Sequence, residues 1–177
     1  MSRRELPRPL HCERPGGVRR GWSLCPVLDL ERGSRDSPGR WHSAGRPVLY
    51  VADSPAGALL EARAHLLAHA ARLPRNFRLH ELAIPARAPV ATLPRAALPP
   101  RWRQRKRWSR ALGDAWHASR STAVMRVPSA LVEAAWNFVL ALDHPALARV
   151  RVVDSDDHRF DARLFRALAR PSRSRSM

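Results

Sequence analysis

The stretch "RPVLYVADSPAGALLEARAHLLAHAARL" (46–73) constrains the fold more than any other part of the chain. Its first seven residues, "RPVLYVA" (46–52), are short and β-rich and read as a buried strand. Asp53 or Ser54 then offers a helix N-cap, and Pro55 suits the first helical turn. The helix carries Leu59, Leu60, Leu66, Leu67 and several alanines, and Pro74 marks its end. A strand feeding directly into an apolar helix asks for a sheet with a helix packed on it. Around this unit the sequence also gathers Arg40, Trp41, the only tyrosine, Tyr50, and a glutamate among apolar neighbours, Glu61.

The rest of the chain supplies more strands than helices. "NFRLHELAIP" (76–85) reads as a strand that Pro85 stops, and "APVATLP" as extended chain. "PPRWRQRKRW" (99–108) reads as a basic, exposed turn or helix, and "SRALGDAWHAS" (109–119) as a short helix capped by Ser109. Strands are expected at "TAVMRVPS" (122–129), "WNFVLAL" (136–142) and "ARVRVVD" (148–154), and a last short strand or helix at "RFDARLFRALA" (159–169). Residues 1–38 mix Arg, Pro, Gly and Ser, so they read as a divergent or weakly ordered segment. Within them only "WSLCPVLDL" (22–30) suits a short strand or buried turn. The basic end, 167–177, reads as a disordered tail. The whole is an α+β chain: a small mixed sheet with flanking helices, its main domain spanning 39–166.

With 177 residues, of which 45% are hydrophobic, the chain suits one core. No apolar run reaches the ~18–20 residues of a membrane span, and the basic start lacks the apolar stretch of a secretory signal. Two cysteines, Cys12 and Cys25, are too few for a disulfide framework, and a cytoplasmic location is expected. The net charge of +17 points toward polyanions, but Lys106 is the only lysine. We therefore read the arginines mainly as compositional bias and expect weak, nonspecific contacts with nucleic acid.

Three motifs have a competing chemical reading. Glu61, His65 and His69 fall at i, i+4 and i+8 on one helix face, but Leu66 follows His65, so the zinc-protease pattern is absent and no metal is expected. "RWRQRKRW" interleaves cations with Trp102 and Trp108, as single-strand binders do. A solvated loop with its tryptophans plugged into the core is the simpler reading. Arg40, Tyr50, Glu61 and Ser129 form the remaining set. An arginine fork suits a pyrophosphate, a tyrosine an aromatic ring, and a carboxylate a developing oxocarbenium charge.

The ordered segments "GRWHSAGRPVLYVADSPAGALLEARAHL", "LGDAWHAS", "VMRVPSALVEAAWNFVLALDHP" and "FDARLF" together resemble the RES domain family. The resemblance implies a fold like that of ADP-ribosyltransferase toxins and the toxin role of a type II toxin–antitoxin pair. It implies NAD+ as substrate, with no cofactor, and cleavage of the nicotinamide–ribose bond by hydrolysis or phosphorolysis. The alternatives are ADP-ribosyl transfer from the same pocket, a basic nucleic-acid-binding module, or an inactive relative. The implied partner is an Xre-type antitoxin with a helix-turn-helix domain. The family positions fall on Arg40, Tyr50 and Asn137 for substrate binding, and on Glu61 and Ser129 for catalysis. Two departures stand out: His42 replaces the family asparagine and Pro38 the glycine before "GRW". The family's Gly-rich lead-in is missing, and Arg14, Arg19 and Arg20 are the nearest candidates for its opening-strand arginine.

Overall fold

The computed structural model describes residues 7–13, 19–26, 28–31, 33–69 and 76–165, the side chains of 67–69 excepted. The side chain of His69, Arg14, the helix stop at Pro74 and the tail 167–177 therefore lie outside the described residues.

One mixed sheet holds eight strands. They are β1 (His11–Glu13), β2 (Arg19–Cys25), β3 (Val48–Ala52), β4 (Phe77–Ile84), β5 (Val90–Thr92), β6 (Val124–Pro128), β7 (Trp136–Ala141) and β8 (Arg151–His158). Their spatial order is β1-β5-β6-β7-β3-β2-β4-β8. Only β5 and β6 run parallel; the other neighbours are antiparallel. The α+β expectation holds, but the sheet is larger than expected because β1 and β2 join it from the segment read as weakly ordered. β2 is a full inner strand, paired with β4 at seven positions. Its signal was faint because one face is Gly21, Ser23 and Cys25. A Cβ on Gly21 would stand 2.6 Å from Val51 Cγ2, so the small residue is what lets β2 approach the core.

Pairing between β2 and β3 is sparse, a single register pair, Trp22↔Ala52. The sheet is loosest there, and α1 (Pro55–His69) spans the junction. Its buried Ala58 and Leu66 pack with Leu24 of β2, Ala52 of β3 and Phe77 of β4. Ser54 is the cap: its Oγ accepts from Gly57 N at 3.1 Å, and Pro55 follows. On the same face α2 (Lys106–Ser119) sends Leu112 and Trp116 onto Val48, Met125 and Val139. It starts three residues before the expected cap, so Ser109 is no cap but a buried residue of the first turn. The opposite sheet face buries Leu49, Val51, Leu82, Ile84, Val124 and Leu140 under Leu28, Leu30 and Leu147, which lie in loops and a short turn.

Behind α2, His117 Nε2 lies 3.2 Å from Asp143 Oδ1, and Arg120 holds the other oxygen at 2.8 Å. Burial pulls the His117 pKa below its usual 6.5 although Asp143 pulls the other way, and burial likewise lowers His80 and His144. Over the window just below 6.5 the unfolded chain then binds more protons than the native one, so stability rises with increasing pH there. It is fully present above that value and lost as pH drops through the depressed native values. Burial alone would raise Asp143 and Asp114, but hydrogen bonds and cations outweigh it. Both sit below 3.8, which adds a further loss at stronger acid. The urea midpoint is expected to be lower at pH 5.5 than at pH 7.5; an equal or higher midpoint would contradict this.

Candidate active site

The five residues singled out in the sequence come from five separate segments and lie on the helix-covered side of the sheet. Tyr50 lies on β3 opposite Val139, and Asn137 on β7 lies opposite both Ala52 and Val127. Ser129 follows β6 directly, buried at 4% exposure. Glu61 sits about 10 Å along α1 from the cap, taking 1.5 Å per residue.

Glu61 is held by two donors on one oxygen. Asn137 Nδ2 donates to its Oε1 at 2.6 Å and Ser129 Oγ at 3.2 Å. Oε2 receives no hydrogen bond from the described residues. Ser129 has nothing left to offer: its proton goes to Glu61, and its lone pairs accept from Leu131 N at 3.1 Å and Val132 N at 3.2 Å. The position of Glu61 over Asn137 is enforced at the start of α1. Trp136 N donates to Asp53 Oδ2 at 2.8 Å, and Asp53 N donates to Trp136 O at 3.1 Å. Asp53 is thus a tie between helix and strand rather than the cap.

Arg40 lies within electrostatic reach of this carboxylate. Its Nη1 donates to Arg103 O at 2.9 Å, and its guanidinium lies 5.7 Å from the Trp102 ring centre. Burial pulls its pKa down while the Glu61 charge pushes it back up, which puts the two groups in each other's field. "RWRQRKRW" proves to be a wall of the site. Trp102 is buried, Trp108 packs edge-on to Trp41, and Arg103 donates to Ala130 O, beside Ser129. Arg103 thereby ties this stretch to the loops that carry Arg40 and Ser129.

The loop that carries Arg40 is clamped from two sides. From α2, Arg110 donates to Gly39 O, Ser109 Oγ to Arg40 O at 2.9 Å, and Asp114 accepts from Ser43 N, Ser43 Oγ and Arg46 Nε. From β3, the Tyr50 hydroxyl accepts from Trp41 N at 3.1 Å and meets His42 Nδ1 at 2.8 Å. Burial pushes the Tyr50 phenol well above its usual 10. Sequence reasoning passed over Asp53, Ser109 and Asp114 as site supports. Their only signal was polar or small residues inside otherwise apolar elements.

The remaining candidates fall elsewhere. Arg20 pairs with Glu81, and Arg19 donates to Ala88 O. His65 is exposed, and among the described residues no group of three metal-ligating side chains comes together. No described helix is long and apolar enough to cross a membrane. A depression of about 410 Å³ lined by Pro85, Arg87, Pro145 and Arg149 lies beside the Ala88–Ala146 core of the other sheet face and holds none of the site residues.

The RES domain family model matches residues 19–163, which takes in β2 as well as the later segments. "Toxin Res" of Pseudomonas putida is 35% identical over 145 residues, covering 81% of this chain and 98% of that protein. "Prs ADP-ribosylating toxin" of a Sphingobium species is 32% identical over 140 residues, covering 76% of this chain and 84% of that protein. A chain in the crystal structure of the M. tuberculosis MbcT–MbcA toxin–antitoxin complex superposes with a TM-score of 0.63 over 81% of this chain and 85% of its own length. At 19% identity that likeness speaks for the fold alone. With the family model spanning nearly all the described residues and two toxins matched along most of their length, the chain belongs to the RES domain family.

Proposed function

We propose that this protein is the toxin of a toxin–antitoxin pair and that it consumes NAD+ by breaking the nicotinamide–ribose bond. The observation that carries this reading is the Glu61 carboxylate, fixed through Oε1 with Oε2 unengaged, in the electrostatic field of Arg40. Arg40 grips the pyrophosphate with its planar fork. The nicotinamide is a pyridinium, so when the C–N bond breaks its electron pair neutralises the ring nitrogen. Nicotinamide leaves without a proton donor. Positive charge then builds on the ribose, and Glu61 Oε2 is the group placed to stabilise it. Water or inorganic phosphate attacks the ribosyl carbon and loses a proton, giving ADP-ribose or its phosphate. Ser129 and Asn137 act on Glu61 rather than on the substrate.

The name of the Sphingobium relative favours a second reading, transfer of ADP-ribose to a macromolecular acceptor from the same cleft. Radiolabelled NAD+ separates the two: label fixed on a macromolecule supports transfer, and free nicotinamide without fixed label supports hydrolysis or phosphorolysis. The antitoxin partner, of Xre type with a helix-turn-helix domain, would carry any specific DNA contact. Leu60 and Leu131, close in the chain to Glu61 and Ser129, are 37% and 47% exposed and add apolar surface for such a partner.

If Ser129 and Asn137 serve Glu61, Ser129→Ala and Asn137→Ala each remove one hydrogen bond to a charged group, worth about 1.5–3 kcal/mol. Each is expected to lower kcat by about ten- to a hundredfold with a smaller change in KM. Wild-type kcat in both variants would overturn the assignment.

A further inference from the structure

We propose that His42 is a positioning residue that locks the Tyr50 hydroxyl onto the Arg40 loop, so that this hydroxyl anchors the loop and is not a ligand of the substrate. The proton positions follow from the acceptors. His42 Nε2 lies 3.0 Å from Ser34 O, a carbonyl that only accepts, so Nε2 carries the hydrogen. Nδ1 is then the lone-pair nitrogen: it accepts from the Tyr50 hydroxyl at 2.8 Å and shares the Gly39 N–H, at 3.2 Å, with the His42 carbonyl at 3.0 Å. With its proton given to His42 and one lone pair taken by Trp41 N, Tyr50 Oη is committed on both counts. His42 is 1% exposed, so no water competes for these bonds.

The space around the latch agrees. A Cβ on Gly39 would stand 2.5 Å from Tyr50 Oη and 2.7 Å from His42 Nδ1 and Cε1. The backbone just before Arg40 is thus pressed against the histidine–tyrosine pair, with no room for a substrate group on that side. Through Gly39 N–H and Trp41 N–H the pair holds the chain on both sides of Arg40. The buried phenol, with its pKa raised, stays protonated and keeps donating.

This rests on the NAD+ reading only for the substrate whose KM is measured. Tyr50 is the only tyrosine, so tyrosine labelled at Cζ gives a single NMR signal from the full chain. His42→Ala is expected to shift that signal, and His42→Asn, whose amide can both accept and donate, to return it. KM for NAD+ should rise about tenfold in His42→Ala, the equivalent of about one or two lost buried hydrogen bonds, with kcat nearly unchanged. His42→Asn should restore it, and Tyr50→Phe should raise KM without adding to the effect of His42→Ala in the double variant. An unshifted tyrosine signal, a wild-type KM in His42→Ala, or additive effects would overturn the proposal. If His42→Ala does not fold, His42→Asn and Tyr50→Phe carry the same test. If wild-type protein shows no turnover, the NAD+ reading fails while the tyrosine signal still decides the latch.

Discussion

Glu61→Gln is expected to lower NAD+ turnover by about 10²–10³-fold or more while leaving the fold intact. The amide keeps an oxygen for Asn137 Nδ2 and Ser129 Oγ, which both bind Oε1 in the native chain. Packing and hydrogen-bond count are therefore close to conserved. What disappears is the negative charge that would face the ribosyl cation, and with it the field that now supports the Arg40 guanidinium. A loss confined to kcat would mark Glu61 as acting in the transition state; a loss confined to KM would mark it as a binding group. The thermal midpoint serves as the control, and a collapsed midpoint would void the comparison.

Gly113→Ala is the substitution expected to cost most in stability. A Cβ at this position would stand 1.7 Å from Trp41 O and 2.7 Å from Trp41 C. Both are backbone atoms of a loop already clamped by Arg110, Ser109 and Asp114, so the loop has no freedom to yield. Trp41 itself is 3% exposed and packed against Trp102, with ring centres 5.9 Å apart. Either α2 lifts off the sheet or the Arg40 loop is displaced. Overpacking of this kind costs about 3 kcal/mol or more, a fall of roughly 6–12 °C in Tm for a domain of this size. Because the displaced loop carries Arg40, affinity for NAD+ should fall with it. A Tm within about 2 °C of wild type would show that the helix and loop are less tightly joined than described.

Much of this was legible in the sequence, for physical reasons that differ between elements. The β3–α1 unit declared itself through a compact apolar run, a capping serine and a proline at the right offset. β4, β6 and β7 did so through apolar runs bounded by prolines or turns. β2 was only half legible: residues 22–25 fell in the one stretch read as a short strand or buried turn, but its first half carries Gly21 where Val51 and Ile84 close in, and small residues read as loop. The start of α2 was misplaced because Ser109 has the chemistry of a cap but spends its hydroxyl on Arg40 O. Residue chemistry singled out Arg40, Tyr50, Glu61 and Ser129, and the resemblance added Asn137. What no linear reading carried was the division of labour among them. That depends on where each proton goes: Ser129 gives its own to Glu61, and Tyr50 gives its own to His42. The departure at His42 illustrates the point. An imidazole in place of an asparagine keeps an acceptor facing the Tyr50 hydroxyl and a donor facing Ser34 O, so the loop it supports is preserved.

Bond breaking in the Glu61 cleft is read most directly as nicotinamide release from NAD+ by purified full-length protein. Run with and without inorganic phosphate, the reaction is predicted to release one nicotinamide for each NAD+ lost, and Glu61→Gln to suppress it. No nicotinamide from folded wild-type protein in either buffer, or equal release by Glu61→Gln, would contradict the account.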